Sequence, residues 1–292
     1  MYKVDNAVIM AAGTSSRFAP LSYEMPKALI EVQGECLIER QIKQLREAGI
    51  EDVYVVTGYK AEQFAYLKEK FGVKLIHNEH YLTKNNNASI YAVKDVLKNT
   101  YICSADNYFR DNPFAPYVES SYYAAIYADG DTKEWCMEYN SDGRITRVTV
   151  GGANAWFMLG HTFWDERFSS KFKEILEAEY ELPETASLLW ESIYINHIDE
   201  LDMKIRKYDS DVIFEFDTLD ELREFDKSYQ KNTRSAILRG VAAKLGCGEE
   251  EITKVTAYKD KTNEAAGFLF ECRGKQYEYC YKTKELRGKD NG

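Results

Sequence analysis

Along the first hundred residues the apolar positions change period repeatedly, and each change predicts a new element. NAVIMAAG (6–13) is a short apolar run closed by a glycine, the pattern of a buried strand. In CLIERQIKQLREAG (36–49), Leu37, Ile38, Ile42 and Leu45 share one helical stripe, and Gly49 supplies the C-terminal stop. DVYVVTG (52–58) is β-branched and predicts a second buried strand, followed by a helix in AEQFAYLKEKFG (61–72) and a strand in VKLIHN (73–78). NASIYAVKDVLKN (87–99) predicts a helix with Asn87 as N-cap, and TYICSAD (100–106) a further strand. This βαβαβαβ order predicts an α/β fold with a mixed, mostly parallel sheet and helices on both faces.

The pattern then changes. YYAAIYA (122–128), WCMEYN (135–140), GRITRVTVGG (143–152) and AWFMLG (155–160) predict antiparallel strands, with NSDG (140–143) as a hairpin turn. Helices are expected over 165–179 and 184–197, strands in DMKIRKY and DVIFEFD, and a helix in TLDELREFDKSY. KSYQKNTRS (227–235) is polar and reads as a linker, which divides the chain into domains 1–230 and 231–292. The second is expected to be a small α+β module, one helix (SAILRGVAAKLG) and three strands, with RGKDNG (287–292) frayed. Some 60 residues make a marginal core, so this module should pack on the first domain or on a partner.

Ligands of open parallel sheets bind beyond the carboxyl ends of the strands. The first such end opens AAGTSSRFAPLSYEMPKALIEVQG (11–34), a stretch too polar and punctuated to be core. Gly13 permits a turn and close approach of backbone N–H groups to phosphate oxygens. Thr14, Ser15 and Ser16 add hydroxyl donors, and Arg17 and Lys27 add permanent positive charge. Neither a G-K-[ST] loop nor a G-x-G-x-x-G fingerprint is present. By themselves these residues suit either a phosphate cradle or an ordinary βα loop with a basic pair. Asp106 and Asp217 each end a strand, where an Asp serves as a metal ligand or as a turn or cap residue. Trp135 and Trp190 have acidic neighbours and suit either a cation pocket or a core.

Composition narrows the partners. The chain has 292 residues, 45% apolar and 29% charged, with net charge −10. That balance argues against nucleic acid as a partner and requires a local basic pocket for any anionic substrate. The six cysteines form no C-x-x-C pair and read as buried thiols, and the four histidines lack zinc-ligand spacing. Neither a membrane span nor a signal-peptide pattern is visible, so the expected location is cytoplasmic.

Ala11-Ala12-Gly13-Thr14-Ser15-Ser16-Arg17, then Pro20-Leu21, then Pro26-Lys27, resembles the signature of nucleotidyltransferases that activate sugar phosphates or phospho-alcohols. It departs at Ser15, where many relatives have glycine. VTGYKAEQFAYLKEKFGVKLIHN, KNNNASIYAVKD, SADNYF, KEWCMEY, LLWESIY and FEFDTLDEL extend the resemblance to bacterial CTP:phosphocholine cytidylyltransferases over about residues 3–228. The resemblance implies a Rossmann-like nucleotidyltransferase fold with a small antiparallel acceptor-side subsheet. It further implies transfer of CMP from CTP to phosphocholine, yielding CDP-choline and pyrophosphate. Arg17, Lys27, Asp106 and Asp217 become the catalytic set, with Asp106 and Asp217 holding Mg2+. Ala11, Ala12, Gly13, Thr14, Ser15, Ser16, Arg17, Tyr59, Asn87, Ser89 and Ala105 become the nucleotide side. Lys27, Trp135, Trp190, Glu191 and Glu215 become the acceptor side, Glu191 standing where relatives often carry Asp.

The tail, with Thr262-Asn263, Phe268, Phe270 and Gly274-Lys275-Tyr277, resembles the start of a choline or aminoglycoside kinase N-lobe but lacks that fold's catalytic segments. Every candidate residue precedes the linker, so the tail is expected to be dispensable for transfer. Phosphoethanolamine, 2-aminoethylphosphonate or a sugar 1-phosphate as acceptor, an inactive nucleotide-binding subunit, and a homo-oligomeric state all remain open.

Overall fold

The computed structural model describes residues 1–260 and 265–289. Its contacts fall into two compact units, 1–13 with 37–215, and 14–36 with the chain from Phe216 onward. These units do not follow a single cut after residue 230, because the segment 14–36 packs with the later part of the chain.

The first unit is built on β1 (Asn6–Ala11), α1 (Leu37–Glu47), β2 (Val53–Thr57), α2 (Tyr66–Phe71), β3 (Lys74–His77), α3 (Asn87–Ala92) and β4 (Thr100–Ser104). β5 (Asn107–Phe109), β6 (Tyr122–Tyr139), β7 (Ile145–Trp164), α4 (Glu166–Glu179), α5 (Trp190–Asn196), β8 (Lys204–Lys207) and β9 (Ile213–Glu215) follow. The main sheet has the order β8-β6-β7-β4-β1-β2-β3. β4, β1, β2 and β3 run parallel, while β7 pairs antiparallel with both β4 and β6. The mixed, mostly parallel sheet expected at the start of the chain is thus present. β1 lies between β2 and β4, so the chain leaves it toward one edge and later returns on its other side. That reversal is where α/β sheets open a ligand crevice.

Several local expectations are corrected. The helix over 61–72 divides into a tight turn at Ala61–Phe64 and α2, since Phe64 and Leu67 are both fully buried at a spacing of three. The four short strands of 122–160 are two long ones, β6 and β7. Register shifts after Ala128 and Thr132, and left-handed glycines at 130 and 151, carry the ladder through polar stretches that read as breaks. The helix of 184–197 is interrupted at extended Leu188 and Leu189. There the Leu188 carbonyl accepts from Asn87 Nδ2, and the Trp190 N–H donates to Asn86 Oδ1, so side-chain amides replace helical bonds. Asn86, not Asn87, precedes the helix α3.

The second unit holds α6 (Leu219–Phe225), α7 (Ala236–Leu245), β10 (Ile252–Lys259), β11 (Ala265–Cys272), β12 (Lys275–Cys280) and β13 (Leu286–Lys289). Thr218 and Glu221 form a reciprocal capping box at the start of α6. Ser235 caps α7 and left-handed Gly246 ends it. β10 to β13 form an antiparallel meander. Arg287–Lys289, expected to fray, instead make the fourth strand, pairing Leu286 with Tyr279 and Lys289 with Gln276. Thr262 and Asn263 of the kinase-like pattern lie outside the described residues, as does the end of the chain after Lys289. Among the described residues no helix is long and apolar enough to cross a membrane.

Candidate active site

In the first unit the loops after β1, β2 and β4 are tied together by backbone bonds. Ala105 N–H donates to Met10 O at 3.1 Å, and Tyr59 N–H donates to Ala12 O at 3.0 Å. Ala11, Ala12, Tyr59, Ala105 and Asp106 are therefore brought to one end of the sheet. Gly58 makes this closeness possible: a Cβ there would lie 2.7 Å from the Tyr81 side chain and 2.8 Å from Ala12 O. Gly13 differs. It is exposed, its φ is not positive, and a Cβ on it would meet nothing within 4 Å. Neither the turn nor the packing needs glycine at 13. The residue in the left-handed region is Ser15, at φ 47° and ψ 43°.

Asp106 occupies the turn between β4 and β5 and is half-buried. A residue that the sequence reading missed holds this turn. Gln41 of α1 is buried, and its Nε2 donates to Ser104 O at 2.9 Å and Asn107 O at 2.8 Å, one carbonyl two residues before Asp106 and one just after it. Its signal was a glutamine beside the apolar stripe of α1. Glu215 pairs with Asn107 in the β9–β5 ribbon and accepts from Asn107 Nδ2 at 3.4 Å. Asn87 and Ser89 are buried. Asn87 Nδ2 donates to Thr185 O at 2.9 Å, and Ser89 Oγ accepts from Asn78 Nδ2 at 3.2 Å, so both serve as packing anchors in this structure.

On the same unit Glu191 begins a polar cluster. Its Oε1 accepts from Tyr123 OH at 3.2 Å and its Oε2 from Asn86 Nδ2 at 3.1 Å. Burial raises its pKa to about 7, against the lowering by those bonds. Trp190, expected to offer an open face, is 1% exposed. Its ring stacks on Tyr123 at 5.7 Å and meets Trp164 edge-on at 5.0 Å, so it is a core wall behind Glu191. Trp135, half-buried, packs against the hydrophobic core that also contains Trp190.

The second unit brings Arg17, Lys27 and Asp217 together. Arg17 Nη1 lies 2.7 Å from one Asp217 oxygen, and Lys27 Nζ 3.8 Å from the other. Lys27 is 5% exposed, its ammonium also 5.7 Å from the Phe18 ring centroid, whereas Arg17 is 74% exposed. Asp217 is not the cap of α6. Thr218 does that work, while the Asp217 N–H donates to Glu221 Oε2 at 2.6 Å. Its carboxylate is left to face the two cations.

A MobA-like NTP transferase domain matches residues 7–131. The choline-phosphate cytidylyltransferase of Streptococcus pneumoniae is 35% identical over 76% of this chain and 96% of its own length. The 2-aminoethylphosphonate cytidylyltransferase of Lancefieldella rimae is 38% identical over 79% of this chain and 95% of its own. The solved CTP:phosphocholine cytidylyltransferase of Streptococcus pneumoniae superimposes with a TM-score of 0.74 at 35% identity, over 78% of this chain and 99% of that one.

Two outcomes follow from this geometry. Gln41→Ala removes the donor shared by two carbonyls and should cost about 1–3 kcal/mol in urea unfolding, with turnover falling as the Asp106 turn loosens. Ser15→Gly should raise stability by roughly 0.5–1 kcal/mol, relief of left-handed strain less the extra unfolded-state entropy of glycine. A thermal melt lower than wild type would count against strain at Ser15.

Proposed function

This chain belongs to the choline-phosphate cytidylyltransferase family of NTP transferases, and on that premise we propose that it transfers CMP from CTP to phosphocholine, releasing pyrophosphate. The observation that carries this reading is Gly13. It is a glycine at the end of the central strand that neither conformation nor packing demands, which leaves open backbone for a phosphate chain to approach. An acceptor phosphate oxygen attacks the α-phosphorus of CTP, a new P–O bond forms, and the bond to the bridging α–β oxygen breaks with its electron pair leaving on pyrophosphate. Little proton transfer is needed. The work is positioning and neutralising crowded anions.

Asp217 supports the same reading. Its carboxylate pairs with both Arg17 and Lys27, a place a phosphate can take over. Exposed Arg17 then suits the departing pyrophosphate, and buried Lys27 suits the reacting phosphate. Asp106 on the first unit and Asp217 on the second each offer hard carboxylate oxygens of the kind that suit Mg2+ together with substrate phosphates. Among the described residues no three His, Cys, Asp or Glu side chains cluster into a self-sufficient metal cage. Mg2+ would supply charge neutralisation on the phosphates.

The head group is the finer part of the proposal. Both Glu191 oxygens already accept hydrogen bonds, so the residue offers charge more than directed acceptors. That favours a quaternary ammonium, which has no N–H to donate, with Trp135 as the aromatic face. The second reading, 2-aminoethylphosphonate, rests on the 38% identical relative that bears that name.

The deciding measurement is pyrophosphate release with CTP and Mg2+, comparing kcat/KM for phosphocholine, phosphoethanolamine and 2-aminoethylphosphonate. Phosphocholine should lead by roughly 10-fold, the scale of one cation–π contact, and excess chelator should stop release. A lead for 2-aminoethylphosphonate transfers the assignment to the second reading. The pH dependence has a definite sign. Glu191 titrates near 7 because burial disfavours its charge, so acid converts it to the neutral form. KM for phosphocholine should therefore rise as pH falls below about 7, approaching tenfold per unit. Glu191→Gln should have a high KM whose remaining pH dependence is only that of the substrate phosphate.

A further inference from the structure

The segment that carries Arg17 and Lys27 leaves the sheet after Gly13, yet it packs with the tail of the chain. Three of its contacts flank Lys27. The Tyr23 ring stacks on Tyr281 with centroids 3.7 Å apart and planes within 8°. Glu24 Oε1 accepts from the backbone N–H groups of Ala236 and Ile237, at 2.8 and 3.2 Å, which places its carboxylate at the N-terminus of α7. Farther along, Tyr229 OH donates to Glu31 O at 2.7 Å, and Arg234 pairs with the Glu31 carboxylate at 3.2 Å. The first two contacts precede Lys27 by four and three residues and the third follows it by four, so both flanks of the lysine are gripped. β10 of the tail also lies against the Ser16–Phe18 turn, which contains Arg17.

We infer that the C-terminal module is a clamp on this segment, with Tyr281 and the N-terminus of α7 as positioning elements for Lys27 and Arg17. The inference rests on the transferase reading but assigns the tail a part in it, against the expectation that it is dispensable. The physical reason is local. The segment 14–36 holds only short helical turns and a two-residue ribbon, Glu31–Val32 with Glu35–Cys36. Such a stretch fixes little by itself, and a flat aromatic stack plus two main-chain bonds to a helix end remove much of its freedom. A small displacement of a group aimed at a transition state is costly to rate, whereas substrate binding is spread over many contacts.

The test uses the full chain carrying Tyr281→Ala, Tyr281→Phe or Glu24→Gln, with steady-state kinetics and hydrogen exchange of peptides covering residues 14–36. Tyr281→Ala should lower kcat by roughly 10-fold at nearly unchanged KM for CTP and speed exchange in 14–36. Tyr281→Phe, which keeps the stack, should restore both. Glu24→Gln keeps an acceptor but loses the charge on α7, and should lower kcat by about 2- to 5-fold, the scale of one helix-end interaction. A folded Tyr281→Ala or Glu24→Gln with wild-type kcat, or with wild-type exchange in 14–36, overturns the clamp. A wild-type chain that releases no pyrophosphate counts against the transferase reading, and exchange alone then decides the clamp.

Discussion

The parallel alignment of β1 between β2 and β4 is the constraint on which the first unit depends. It is pinned at its start by a buried amide. Asn6, 3% exposed, donates through Nδ2 to Val96 O at 2.7 Å and accepts at Oδ1 from Thr100 Oγ1 at 2.6 Å. A slip of one residue would strand these polar atoms in the core and turn every side chain of β1 to the wrong face. With that register in place, Met10 meets Ala105 and Ala12 meets Tyr59 at the other end of the strand. The meeting of three loops is thus a consequence of pairing at the far end of β1.

Charge is the second organising quantity. A chain with net charge −10 repels its anionic substrates at long range, so attraction has to be made locally. On the second unit two cations stand around one carboxylate, Arg17 and Lys27 around Asp217. Burying the Lys27 ammonium with an acidic partner within 4 Å keeps it from being an unpaired interior charge. On the first unit the opposite case holds at Glu191. Its neighbours Tyr123 and Asn86 supply hydrogen bonds but no positive charge, so burial holds its pKa near neutral. An incoming cation would find there a group whose charge it can stabilise.

The sequence by itself determined the parallel strands, the stripe of α1, the signature segment with Arg17 and Lys27, and the strand-end carboxylates, because each is written in period, spacing or local chemistry. NSDG was legible as a turn and Gly49 as a helix end for the same reason, and Gly49 has positive φ. What it left undecided depends on partners far away in the chain. Gln41 is one more polar residue beside the stripe of α1 until the turn around Asp106 is seen to hang from it. Trp190 reads equally as a pocket or a core residue, and only its stacking on Tyr123 and Trp164 decides for the core. The breaks that seemed to divide β6 and β7 are polar locally, but a ladder with bulges satisfies their backbone groups and the strands continue. KSYQKNTRS was polar enough to suggest a linker, and Tyr229 and Arg234 within it bind Glu31. Tertiary structure alone decided that residues 14–36 pack with the tail, because contacts between residues more than two hundred positions apart leave no periodic trace in either segment.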